Sequence, residues 1–194
     1  MKRVLSEAVI PAEGAALWAK RAALVAVGVA AMAIAAKIKV PMWPVPITMQ
    51  TFAVLTIGAA YGARLGVATI LAYLAIGAAG ADVFTGSSAA ENGLSYMLGS
   101  TGGYLLGFAL AAAFVGWAAR RGWDRSFGHA ALAMLGGLAL IYAPGLLWLG
   151  ALFGFDQPIL AWGLHPFLAG EALKLALAAL TAPLAWRAVG QARG

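Results

Sequence analysis

The chain has 194 residues, 63% of them hydrophobic and only 10% charged, with 13 Lys and Arg against 7 Asp and Glu, a net charge of +6 and no cysteine. Soluble domains carry about a quarter charged residues, so an aqueous core is excluded and the chain reads as an all-α integral membrane protein with the lipid bilayer as its solvent. The lack of cysteine excludes disulfides, thiol catalysis and thiolate metal sites.

Apolar segments fall at about 17–37, 49–63, 65–80, 98–119, 129–152 and 166–187. The second and third are short, and an alternative joins them into one helix with Arg64 inside it. Charge separates the two readings. With six spans, ten Lys and Arg lie on the side that holds both termini and only Lys37 and Lys39 on the other, whereas five spans split the charges seven to four. The positive-inside rule selects six spans with both termini cytoplasmic, in one multi-pass domain covering residues 1–194 of the cytoplasmic (inner) membrane. The positive charge then reflects orientation in the membrane, with no nucleic acid implied.

The first span reads as a membrane helix and not as a cleavable signal peptide. It carries rows of small residues: Ala15, Ala19 and Ala23, and beside them Ala22, Ala26 and Ala30. Such rows suit close helix packing, either inside the bundle or against another membrane protein. Prolines at 41, 44 and 46 then forbid a regular helix and predict a stiff outer loop, where Trp43 belongs to an interfacial aromatic belt or walls a pocket. Gln50 and Thr51 open the second span with polar groups. "YGARLG" predicts the tight turn between spans two and three, with Gly62 and Gly66 permitting the reversal and Arg64 anchoring it at the headgroups.

The loop near 81–97 holds Asn92 and is read as a lid or a solvated connection. In span four, Gly99, Gly103 and Gly107 recur every four residues, a packing pattern, while Ser100, Thr101 and Tyr104 place polar atoms at the outer end. Span six contains Glu171 and Lys174 three residues apart on one helical face, about 8 and 12 Å into the helix. A charge in hydrocarbon costs at least about 2.5–3.5 kcal/mol, so this face looks into protein or a wet cavity. Two roles fit: an ion pair that orders helices, or a site for a small molecule bearing an acid and an amide-like group.

No phosphate-cradling G-x-x-x-x-G-K-[ST] motif, H-E-x-x-H motif or catalytic set is present, so neither self-powered ATP hydrolysis nor intramembrane metal catalysis is expected.

The stretches "PVPITMQTFAVL", "TGGYLLGF" and "PFLAGEALKLALAAL", in this order and spacing, resemble the BioY family, the biotin-specific substrate-capture (S) component of energy-coupling factor (ECF) transporters, over about Lys37 to Leu184. The resemblance implies a six-helix S-component bundle with an outward-opening pocket, biotin as the transported ligand, no resident cofactor, and no catalytic role. It also implies partners: a transmembrane coupling subunit and two ATP-binding cassette ATPase subunits. By the same resemblance Glu171 and Lys174 are the acid and the lysine of the last span, and Thr101, Gly102, Gly103 and Tyr104 the glycine-rich turn with its aromatic; the family more often has Asp at Glu171 and Pro at Ser100. Asn92, Trp43 and Gln50 complete the expected substrate contacts, and Ala22, Ala26 and Ala30 the expected docking face. The alternatives are capture of another carboxylate-bearing vitamin, a self-sufficient homo-oligomeric transporter, and a structural membrane protein.

Overall fold

Backbone N–H and C=O groups in hydrocarbon must be satisfied within the chain, and helices dominate accordingly. The computed structural model describes residues 3–9, 12–86 and 93–191. In chain order the helices are α1 (Leu5–Val9), α2 (Gly14–Lys37), α3 (Gln50–Ala78), α4 (Gly93–Met97), α5 (Gly102–Arg121), α6 (Phe127–Phe153), α7 (Ile159–Gly163) and α8 (Leu168–Gln191). A two-stranded antiparallel ribbon, β1 (Lys39–Val40) with β2 (Ile47–Thr48), pairs Lys39 with Thr48 and Val40 with Ile47. The proline-rich loop is thus the tip of a ribbon, and its Trp43–Pro44 peptide is cis. Among the described residues five helical stretches are long and apolar enough to cross a bilayer: Gly14–Lys37, Gln50–Ala78, Gly102–Arg121, Phe127–Phe153 and Ile159–Gly190.

The second of these is not straight. Gly62 takes φ 77° and ψ 169°, a region open essentially to glycine alone, and the chain reverses there. Gln50 Nε2 consequently lies 2.8 Å from the Tyr73 hydroxyl, although the 23 residues between them would span about 35 Å of straight helix. A Cβ on Gly66 would sit only 3.4 Å from Gly58 Cα, across the two arms. The reversal therefore needs Gly62 alone; Gly66, expected in the turn, is a buried helical residue that lets the arms approach. Arg64 is exposed beside the reversal.

α5 starts at Gly102 and not near 98, because Leu98–Thr101 form a turn. It ends at Gly122, whose left-handed φ of 87° lets its N–H return to the carbonyls of Ala118 and Ala119. This helix lies between α3 and α6, and glycine makes both approaches possible. Any Cβ on Gly116 would strike the Gly62–Ala63 backbone, and any on Gly103 or Gly107 would strike α6 at Pro144 and Ile141. The row beginning at Gly103 is thus a packing face, while Gly99 lies ahead of the helix. Pro144 lies inside α6, where it removes one helical hydrogen bond.

α2 is the least enclosed of the long helices, and Ala22, Ala26 and Ala30 are exposed on it. Fully buried Met32, Leu55, Ile70, Met134 and Ile141 belong to the apolar interior.

Replacing Gly62 by Ala should destabilise the protein by about 1–3 kcal/mol, since φ 77° is forced by the reversal and the added Cβ would also lie 3.2 Å from Arg120 Nε and Val4 Cγ1. Thermal unfolding in detergent checks this; an unchanged midpoint would contradict a strained reversal.

Candidate functional site

A lysine inside a membrane helix is tolerated only if each N–H of its ammonium finds an acceptor. Lys174 Nζ donates to three: the carbonyl of Thr48 at 2.8 Å, Thr51 Oγ1 at 2.9 Å and Glu171 Oε1 at 2.5 Å. The i, i+3 spacing on α8 brings the pair together, and the ribbon delivers the first turn of α3 to the same point. Glu171 and Lys174 are 6% and 5% exposed. Glu171 Oε1 also accepts from Thr51 Oγ1 at 3.0 Å and from the Tyr142 hydroxyl at 3.2 Å, so α3, α6 and α8 meet on one oxygen. The other oxygen, Oε2, is buried and has no hydrogen-bond partner among the described residues.

Glu171 borders a narrow cavity of about 40 Å³, room for about three waters at roughly 10–15 Å³ each. Its walls include Gln50, Thr51, Thr101, Tyr104, Tyr142 and Phe167. Aromatic faces carry most of the apolar surface: the Tyr142 ring meets Tyr104 edge-on at 5.6 Å and Phe167 at 5.9 Å. The Tyr104 hydroxyl is tied to the Gly163 carbonyl at 2.9 Å, so this residue presents its ring to the cavity. Gln50 is held from both ends, donating to the Tyr73 hydroxyl at 2.8 Å and accepting from Thr85 Oγ1 at 3.2 Å. Tyr73 passes the chain on to the Val83 carbonyl at 2.9 Å.

An outer cleft of about 400 Å³ shares Pro46, Thr85, Tyr96 and Thr101 with the inner cavity, and Lys39, Trp43 and Ser100 are on its walls. Lys39 Nζ donates to the Thr85 carbonyl at 2.7 Å, and Ser100 Oγ to the Pro44 carbonyl at 2.6 Å, which fastens the ribbon to its neighbours. Trp43 is 68% exposed and packs edge-on against Trp162 and Phe153 at 5.0 and 5.8 Å.

Of the residues singled out in the sequence, Glu171, Gln50, Thr101 and Tyr104 share the inner cavity. Lys174 lies behind Glu171 and Thr51, Gly103 against α6, and Trp43 in the outer cleft. Asn92 lies outside the described residues. Tyr142, Thr85, Tyr96 and Phe167 were missed. Tyr142 carried a signal, a hydroxyl within the apolar run "LIYAPGLL", whereas Thr85 and Tyr96 reach the site from irregular segments that no periodicity marks. Among the described residues no group of three or more His, Cys, Asp or Glu is placed to hold a metal ion.

Removing Lys174 alone should be costly. Lys174→Ala leaves Glu171 buried and unpaired, a loss of about 3–5 kcal/mol for a broken buried pair. The double variant Glu171→Ala/Lys174→Ala should recover part of that loss, and the thermal midpoints of the three proteins decide it; equal midpoints for single and double variants would refute the coupling.

The sequence model of the BioY family matches residues 5–191. A probable biotin transporter BioY of Pyrococcus horikoshii is 38% identical over 164 residues, covering 84% of this chain and 94% of the relative. The biotin transporter BioY of Thermotoga maritima is 33% identical over 153 residues, covering 79% and 88%. In three dimensions the chain is similar to the crystal structure at 2.1 Å of the S-component for biotin from an ECF-type ABC transporter, with a TM-score of 0.73 over 91% of this chain and 95% of that one, at 23% identity. A membrane bundle of this shape, matched to one family along nearly its whole length, has one assignment: the chain belongs to the BioY family.

Proposed function

We propose that this protein is a substrate-binding subunit that captures biotin at the end of the bundle opposite its termini and takes part in biotin uptake across the membrane. The observation that carries this reading is Glu171 Oε2, a buried acceptor without a partner among the described residues, on the wall of a ring-lined cavity. Biotin brings a ureido N–H to that oxygen and a fused bicycle to the rings of Tyr104, Tyr142 and Phe167. Its carboxylate points the other way, into the outer cleft, where Lys39 is on the wall. Lys174 holds Glu171 in place and leaves the ligand acid to Lys39, because its three donors are already engaged. A cavity of about 40 Å³ is too small for the bicycle, so binding widens it at Tyr96 and Thr101, two of the four residues shared with the outer cleft.

The reversal at Gly62 supports six crossings of the inner cell membrane, with the arginine-rich ends and both termini cytoplasmic. Energy comes from a transmembrane coupling subunit and two ATPase subunits, since the chain has no nucleotide-binding motif of its own. The exposed row Ala22, Ala26 and Ala30 on α2 is the docking face for the coupling subunit.

Equilibrium binding of labelled biotin to the purified protein tests the site. Glu171→Ala should weaken binding roughly ten- to a hundredfold, the effect of losing charge-assisted hydrogen bonds. Lys39→Ala should weaken biotin about fivefold, the effect of an exposed ion pair near 1 kcal/mol, and leave a carboxylate-blocked biotin unaffected. A folded parent that binds no biotin would sink the reading, and an equal loss for both ligands would remove Lys39 from it.

The docking face is tested separately. Ala26→Leu should weaken co-purification of the coupling subunit and leave biotin affinity unchanged; undiminished association would exclude this face.

A further inference from the structure

We propose a second binding site at the opposite end of the bundle, a basic cleft that holds the phosphate headgroup of one anionic phospholipid. The cleft encloses about 550 Å³ between α1, α2, the reversal of α3 and the end of α5. Four cations, Lys20, Arg21, Arg64 and Arg120, are on its walls against one carboxylate, Glu7. That carboxylate is already taken by Arg120 at 2.5 Å. Arg21 lies over the Trp18 ring at 5.4 Å, an arrangement that leaves its guanidinium edge open. Arg64 is exposed and has no hydrogen-bond or ion-pair partner among the described residues. Arg21 and Arg64 are therefore the two cations of the cleft that pair with no carboxylate among the described residues.

The shape of the cleft selects an amphiphile over a free anion. Leu24 lies one helical turn beyond Arg21, and Ala68 one turn beyond Arg64, both on the cleft wall and both toward the middle of the membrane. Charge at the bundle end thus grades into apolar wall toward the hydrocarbon, which matches a phosphodiester with its acyl chains attached. Trp117 is on the cleft wall and Trp18 lies beneath Arg21; they are 40% and 70% exposed, and Arg121 and Arg21 are stacked on them. Tryptophans in this setting mark the headgroup layer.

Native mass spectrometry of the purified chain in nonionic detergent tests the proposal, with dioleoylphosphatidylglycerol, dioleoylphosphatidylcholine and inorganic phosphate as probes. The two lipids share their acyl chains, so a difference in retention reports the net charge of the headgroup. One phosphatidylglycerol per chain should be retained at least about tenfold better than phosphatidylcholine, the effect of two or more cations, and inorganic phosphate should not displace it. Arg64→Gln should lower that retention about fivefold, with an unchanged thermal midpoint in lipid-free detergent. Arg21→Gln provides the same test should Arg64→Gln fail to fold. Equal retention of the two lipids would overturn the proposal and leave the cleft to an acidic segment of a partner protein. Displacement by inorganic phosphate would overturn it in favour of a soluble anion, and variants that hold the lipid like the parent would remove these arginines from any such site.

Discussion

Two opposite charges three residues apart on a membrane helix constrain everything around them. Neither Glu171 nor Lys174 is stable in hydrocarbon alone, and their attraction offsets desolvation only when the remaining lone pairs and protons are also satisfied. The chain meets that condition for the protons of Lys174 and for Glu171 Oε1 with groups from two other helices and the ribbon, the Thr51 and Tyr142 hydroxyls and the Thr48 carbonyl, and leaves Glu171 Oε2 without a partner among the described residues. The position of β2, the first turn of α3 and the middle of α6 relative to α8 follows from this one requirement. An ion pair of this kind orders helices and, in the same arrangement, sets Glu171 on the wall of the inner cavity.

The second constraint is how closely the helices come together. A chain rich in Ala and Gly has little side-chain volume with which to fill a bundle, so it must bring backbones near one another. The reversal at Gly62 is the seat for Gly116 of α5, and α5 in turn meets α6 through Gly103 and Gly107. This stack of backbone contacts carries the aromatic residues to the cavity: Tyr104 projects from α5 just past Gly103, and Tyr142 from α6 just before Pro144. The cavity walls are therefore positioned by residues that never touch it.

Much of this was legible in the sequence, and the boundary is instructive. Glu171 and Lys174 stood out because charge in an apolar run has few explanations, and the charge count between the two ends anticipated a reversal near Arg64. Which glycine makes the reversal was not legible, because Gly62 and Gly66 are set apart by their backbone conformation, a property that composition does not carry. The direction of Lys174 was equally hidden. Its spacing placed it on the face of Glu171, but the Thr48 carbonyl that claims one of its protons comes from a ribbon whose register depends on long-range pairing. Trp43 reads as an aromatic belt residue or a pocket wall with equal ease, and its partners Trp162 and Phe153 come from segments more than a hundred residues away.

The buried pair also has an electrical meaning. Glu171 and Lys174 carry opposite charges that sum to zero, and both lie within one turn of the same helix. A lone charge carried through the membrane field would exchange about 2.3 kcal/mol with every 100 mV of potential. A compensated pair exchanges almost none. The buried pair thus gives the membrane voltage almost no net charge to act on at this point of α8.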